Sequence, residues 1–297
     1  DVLRVPHYRL DLVERYTRVD DEDDQPRVHK LGGKRWKNLK KRTQESIQER
    51  AAELLELYAQ RQMADGHDFS SDTRWQKEME AAFLYDETPD QLEAWRDVKA
   101  DMEEPRPMDR LLCGDVGYGK TEVAMRAAFK AVQDSKQVAV LAPTTVLVEQ
   151  HFQTFSERLA DFPVLIEHLS RFLTPSRQDE VVEGIEEGTV DIAVGTHRLL
   201  SDDVAFDDLG LLIVDEEQRF GVRQKEALKQ AKRSVDVLTL TATPIPRTLQ
   251  FALSGMRDLS LIETPPRDRL PIITHTLKWS DQILQDAMRR ELDRGGQ

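Results

Sequence analysis

The sequence predicts an α/β fold, a mostly parallel sheet covered by helices on both faces. Three observations carry this expectation. From Met108 onward, short apolar stretches alternate with segments of helical spacing, the pattern of strands joined by helical crossovers. Leu209-Gly210-Leu211-Leu212-Ile213-Val214 is the kind of continuous apolar run that a strand buried on both faces requires. Gly114-Asp115-Val116-Gly117-Tyr118-Gly119-Lys120-Thr121 is a complete G-x-x-x-x-G-K-[ST] loop, set between the apolar Leu111-Leu112-Cys113 and a helix-like stretch from Glu122 to Val132. Strand, loop and helix in that order separate a phosphate-binding loop from a chance Gly-rich turn.

Taken in order, residues 1–19 hold too few apolar side chains to close a core, and the acidic run Asp20-Asp21-Glu22-Asp23-Asp24 reads as solvated. Arg27 to Arg42 is dense in Lys and Arg with no Asp or Glu. It is read as a solvated helix face or as a contact to phosphate or an acidic partner. Lys34 to Asp65 predicts one long helix, because Trp36, Leu39, Thr43, Ile47, Ala51, Leu54 and Tyr58 recur at steps of three or four and Gly66 is a natural C-cap. At 1.5 Å per residue it would span ~48 Å, so it is read as a connector docking its stripe on a neighbour. Residues 67–107 read as a polar bridge with helical pieces at Trp75 to Phe83 and Pro89 to Met102. Strands are then expected at Arg110 to Cys113, Gln137 to Ala142, Val164 to Leu169, Asp191 to Gly195, Leu209 to Val214, Val237 to Thr241 and Ile272 to Leu277. Helices are expected at Val146 to Leu159 and Ser176 to Glu187.

The bulk numbers bound the function. The net charge of −13 argues against a surface that coats nucleic acid, although it leaves room for a local track. One cysteine in 297 residues excludes an internal disulfide framework and fits a reducing cytosol. No apolar run approaches the ~18 residues of a membrane span, so no membrane partner is expected. Without an initiator Met or a signal-like start, the chain reads as an internal piece of something longer.

The chemistry begins with the loop. Its backbone N–H groups can cradle phosphates at a helix N-terminus. Lys120 is placed to reach the β- and γ-phosphates of a nucleotide and Thr121 to ligate Mg²⁺. Asp215 and Glu216 follow the buried apolar run, at the end of a strand where open α/β sheets bind ligands. Asp215 can then hold Mg²⁺ with Thr121, and Glu216 can orient or deprotonate the attacking water. Thr241-Ala242-Thr243-Pro244-Ile245-Pro246-Arg247 ends another strand. Small hydroxyl residues there can sense a γ-phosphate, and the prolines limit backbone freedom.

The order of these motifs resembles the first motor lobe of superfamily 2 helicases and translocases. In sequence they are Thr88-Pro89-Asp90-Gln91, the loop at 114–121, Ala142-Pro143-Thr144-Thr145, Gly195-Thr196-His197-Arg198, Asp215-Glu216-Glu217-Gln218 and Thr241-Ala242-Thr243. The resemblance implies a RecA-like ATP-binding domain that uses ATP and Mg²⁺. It implies that Gln91 reads the adenine edge, and that Tyr85 stacks on the base unless it is a packing aromatic. The residues of the loop itself (Gly114, Asp115, Val116, Gly117, Tyr118, Gly119, Lys120 and Thr121) complete the ATP site. Thr144, Thr145, Thr196, His197 and Arg198 become nucleic-acid contacts through hydroxyls, amides and a guanidinium that bind phosphates without reading sequence. Taken alone, His197 reads as a packed histidine. Lys120, Asp215, Glu216 and Gln218 become the catalytic set, and Thr241, Ala242, Thr243 and Arg247 the coupling set.

Within that superfamily, the segments Met108 to Thr121, Gly195 to Leu200, Asp215 to Val222 and Thr241 to Thr248 resemble the branch of RecG and the transcription-repair coupling factors, which are translocases on double-stranded DNA. Lys30-Leu31-Gly32-Gly33 with Trp36, the long helix, and Val2 to Tyr16 are similar to the coupling-factor side of it. The implied organisation is residues 1–26 as the end of a polymerase-interacting domain, 27–84 as basic segment, connector helix and bridge, 85–277 as the ATP-binding lobe with its motor core at about 101–262, and 278–297 as the start of a link to a second lobe. The implied partners are double-stranded DNA and, for a full-length protein, RNA polymerase and an excision-repair damage-recognition protein in a bacterial cytoplasm. Gln218 departs from the family, standing where many relatives have His, but it can still donate and accept. A RecG-like fork-remodelling helicase, and a nucleotide-binding interaction module without motor activity, are the competing expectations. Without a second lobe and its arginine finger, slow hydrolysis with little DNA stimulation is expected of this chain alone.

Overall fold

The computed structural model describes residues 38, 41–46, 64, 66–220, 235–242, 257–267, 276, 278–293 and 295. Residues 1–37, most of the expected connector helix, Thr243, Arg247 and nearly all of the expected strand at 272–277 lie outside the described residues. Of the connector, residues 38 and 41–46 are helical.

The described elements are α1 (Arg74–Ala81), α2 (Pro89–Met102), β1 (Asp109–Gly114), α3 (Lys120–Gln133), β2 (Gln137–Leu141), α4 (Thr145–Arg158), β3 (Ile166–Leu169), α5 (Pro175–Glu186), β4 (Ile192–Gly195), β5 (Leu209–Asp215), β6 (Asp236–Thr241), β7 (Asp258–Ile262) and α6 (Asp281–Asp293). Short 3₁₀ turns occupy His197–Leu200 and Glu217–Arg219. No described helix is long and apolar enough to cross a membrane.

The seven strands form one sheet in the order β3-β4-β2-β5-β6-β1-β7, and every pairing is parallel. The expected parallel α/β fold is therefore present. Alternate residues of each central strand serve opposite faces: Leu211 and Ile213 join the core that holds α1 to α4, whereas Leu212 and Val214 join the one that holds α5. This two-sided burial is why the strand reads as an unbroken apolar run. The seventh described strand was not among those expected. Asp258-Leu259-Ser260-Leu261-Ile262 pairs with β1 at the sheet edge and alternates exposed and buried positions, so it lacks the continuous apolar signal of the inner strands.

The segment read as a bridge also contributes to the core. Phe69, Met79, Trp95, Val98 and Met102 pack in the same cluster as Val123, Ala127 and Phe129 of α3. The buried Lys130 of α3 donates to the Ser70 carbonyl at 2.6 Å and pairs with Glu103 at 2.7 Å. These contacts seat α1 and α2 on the helix that follows the phosphate loop.

A second ionic tie holds α2 to the sheet edge. Arg110 Nε and Nη2 donate to Asp101 at 2.6 and 3.0 Å, and Nη1 donates to Ser260 at 2.8 Å. Burial pushes the Asp101 carboxyl up from its ordinary value despite Arg110, and desolvation offsets part of the attraction in any buried ion pair. Breaking such a pair still leaves an uncompensated buried charge. Arg110→Met is expected to destabilise the fold by about 3 kcal/mol, to be read as a lowered denaturant midpoint at unchanged slope.

Candidate nucleotide and nucleic-acid site

The phosphate loop leaves the C-terminal end of β1 and enters α3 directly. Gly117 and Gly119 have φ of +78° and +84°, a region that side chains disfavour. A Cβ on Gly119 would also run into the Gln91 amide. That close approach is used. Gln91 Nε2 donates to the Tyr118 carbonyl at 2.9 Å, while Gln91 and Thr88 exchange hydrogen bonds in a capping box at the start of α2. Gln91 is thus held against the loop, with a second N–H and a second lone pair still free by valence. Tyr85 is 63 % exposed and meets the Phe83 ring edge-on at 5.5 Å. It is not a buried packing aromatic.

Lys120 Nζ donates to the carbonyls of Gly114 and Asp115 at 2.6 and 3.0 Å, closing the loop on its own ammonium group. Burial lowers the Lys120 pKa, and the nearby Asp215 and Glu216 carboxylates act in the opposite direction. A bound triphosphate would supply the same kind of compensation. Asp215 ends β5, two strands from β1 in the order β5-β6-β1, so the two strand ends lie ~10 Å apart along one edge. Thr121 and Asp215 are the side chains that could share a Mg²⁺ ion. Among the described residues, no cluster of three or more His, Cys, Asp or Glu could hold a metal. Mg²⁺ is usually bound through one or two carboxylates together with substrate phosphates and water.

The acidic turn is pinned from several directions. His151 Nε2 lies 2.9 Å from Asp215 Oδ2. Glu216 sits in the left-handed region, φ 51° and ψ 49°, a conformation costing a non-glycine residue ~1–2 kcal/mol. It is held there by its own N–H on the Leu240 carbonyl at 3.0 Å, and by the Ala242 N–H on its Oε1 at 3.1 Å. Gln218 Nε2 donates to Glu216 Oε2, and Thr241 Oγ1 approaches Gln218 Oε1 at 3.4 Å. The acidic turn and the segment after β6 are therefore directly hydrogen-bonded, through Glu216 and Gln218 on one side and Thr241 and Ala242 on the other. The largely buried Arg257 joins Glu217 at 3.5 Å to Asp109 at 2.9 Å. Sequence reading missed both His151 and Arg257. Neither carries a local signal, because the carboxylates they meet lie 40 or more residues away.

At the same sheet edge, Thr144 is exposed and caps α4, its Oγ1 accepting from the Leu147 N–H at 3.3 Å. Thr145 is the first residue of that helix. Thr196 caps the 3₁₀ turn after β4. His197 is exposed, so it is not a packed core histidine. Arg198 is engaged, its Nη1 and Nη2 donating to Asp203 at 2.7 and 2.5 Å, and this pairing holds the Asp203 carboxyl below its ordinary pKa. A phosphate contact by Arg198 would have to compete with that exposed pair.

Comparison with known proteins places this geometry. Over all 297 residues the chain is 55% identical to the transcription-repair-coupling factor of Bacillus subtilis (strain 168) and 54% identical to that of Staphylococcus aureus (strain USA300), covering 25% of each. The chain thus spans about a quarter of the length of these curated relatives. Its fold matches a solved structure of RecG bound to a three-way DNA junction with a TM-score of 0.68 and 31% identity, over 82% of this chain and 34% of that one. The DEAD/DEAH box helicase family matches residues 88–251, from the capping Thr88 through the phosphate loop and the acidic turn. That match covers more than half of the chain, which belongs to the DEAD/DEAH box helicase family.

Proposed function

We propose that this chain is the ATP-binding lobe of a double-stranded DNA translocase that displaces stalled RNA polymerase and couples transcription to nucleotide excision repair. One observation carries the motor part of this reading. The phosphate loop, the acidic turn, and the turns holding Thr144 and Thr196 all follow C-terminal strand ends of one parallel sheet, so a nucleotide and a nucleic-acid backbone can share one edge. In this reading Lys120, Thr121, Asp215, Glu216 and Gln218 bind and hydrolyse Mg-ATP, with Gln91 and Tyr85 on the base. Thr144, Thr145, Thr196, His197 and Arg198 touch DNA, and Thr241 and Ala242, with Thr243 and Arg247, relay the γ-phosphate state. The 55% identity to a protein named for transcription-repair coupling supports the cellular role. RNA polymerase and an excision-repair damage-recognition protein are its proposed partners.

The test compares this chain with a protein of the relatives' length. This chain is expected to hydrolyse ATP slowly, because in this reading the arginine finger, worth ~10³–10⁵ in rate in phosphate-loop enzymes, belongs to a second lobe. The longer protein is expected to strip a third strand from a DNA triplex in an ATP-dependent manner. Strong DNA-stimulated turnover by this chain alone would show that no second lobe is needed. Failure of the longer protein to displace the third strand would remove the translocase reading, and activity confined to forked DNA would favour the RecG-like one.

A further inference from the structure

His151 is among the groups that hold the acidic turn but has none of the nucleotide or nucleic-acid roles assigned above. It lies on α4, is 8 % exposed, and its Nε2 is 2.9 Å from Asp215 Oδ2. An ionised carboxylate only accepts, so the imidazole is the donor and Nε2 carries the proton. The bond commits one oxygen of Asp215 and leaves Oδ1 as the oxygen the imidazole does not hold. The ring is itself supported, meeting Phe155 edge-on at 6.4 Å one turn further along the helix.

The helix that carries His151 is also fastened, at its C-terminal end, to the residue beside Thr121. At its start, Thr144 caps it. At its end, Arg158 Nη2 and Nε donate to Glu122 at 3.0 and 3.2 Å, and Nη2 also donates to the Met79 carbonyl at 2.7 Å. Glu122 directly follows Thr121 and is buried. The Arg158 guanidinium also lies 5.6 Å from the Phe83 ring, which packs against Tyr85. A helix of 14 residues thus places an N–H donor on Asp215 while its last turn grips the residue next to Thr121. Such a donor on a ligating carboxylate limits its rotation, and preorganisation of this kind is what outer partners contribute to metal sites.

We infer that His151 is a positioning residue, holding the Asp215 carboxylate in the orientation in which it and Thr121 receive Mg-ATP. The inference rests on the reading of Asp215 as a Mg²⁺ residue. It is tested by titrating this chain with a fluorescent, non-hydrolysable ATP analogue in magnesium chloride and again in EDTA, the ratio of the two affinities being the magnesium advantage. His151→Met removes the donor at similar length and is expected to lower the magnesium advantage about tenfold, leaving affinity in EDTA unchanged. His151→Gln keeps an N–H at similar reach and is expected to restore most of it. A purely structural role would depress both affinities together and would not distinguish Gln from Met. An unchanged magnesium advantage in His151→Met, or equal losses in Met and Gln, overturns the inference. Thermal melting checks the fold, and His151→Leu replaces the Met variant should that one not fold. Asp215→Asn separates the two levels. If it keeps the full magnesium advantage, the reading of Asp215 has failed. If it loses the advantage while His151→Met does not, only the inference about His151 has.

Discussion

Lys120→Ala is expected to weaken Mg-ATP binding about a hundredfold, because a hydrogen bond to a charged group is worth up to about 3 kcal/mol and the phosphates offer this ammonium several acceptors. The ammonium is partly desolvated, which lowers its pKa, and among the described residues its partners are carbonyls of its own loop. A triphosphate replaces neutral acceptors with anionic ones, so most of the gain appears only on binding. The fold should survive. The side chain is half-buried at the first position of α3 and its two carbonyl partners belong to the adjacent loop, so the melting midpoint should shift by no more than about 3 °C. A fluorescence or calorimetric titration decides the matter, and unchanged affinity would sink the phosphate-loop assignment.

Glu216→Gln is expected to slow ATP hydrolysis by about 10²–10⁴ while affinity for Mg-ATP stays within about threefold of the parent. A carboxylate can accept a proton from water, and an amide cannot. The change has a second consequence here. Glu216 accepts from Ala242 N–H through one oxygen and from Gln218 through the other. An amide keeps only one acceptor, and a neutral one, so the Gln218 amide must flip to present its own oxygen, and the bond from Ala242 N–H loses its charge assistance. The variant should therefore also loosen the link between the acidic turn and the segment after β6, seen as faster amide exchange at Ala242. Single-turnover hydrolysis separates the two effects. Full turnover in the variant would remove Glu216 as general base, and unchanged exchange would show that the link does not depend on its charge.

Six of the seven strands were legible because their signal is local: a run of apolar residues, a turn, then helical spacing. The phosphate loop was legible for the same reason, since glycine spacing and a following helix are read within about twenty residues. β7 was not, because an edge strand buries one face only and Asp258 to Ile262 alternates instead of running apolar. The docking of residues 66–107 was also hidden. Met79 and Trp95 look unremarkable among polar neighbours, as does Lys130 on α3, until α1 and α2 are packed against α3. Tyr85 and His197 could each be read two ways, and exposure is a property of the assembled surface that no single residue announces.

The sequence by itself determined where the candidate residues fall, because strand, loop and helix signals span only a few residues and place Lys120 and Thr121 at the start of a helix and Asp215 and Glu216 at the end of a strand. Only the tertiary structure decided what holds them. His151 reaches Asp215 across 64 residues, Ala242 reaches Glu216 across 26, and Arg257 reaches Glu217 across 40. These pairs exist because parallel register sets β5 against β6 and β6 against β1, and because helices such as α4 pack across the sheet. Contacts between strands distant in the chain depend on that register and on burial, and neither is encoded in the spacing of neighbouring residues.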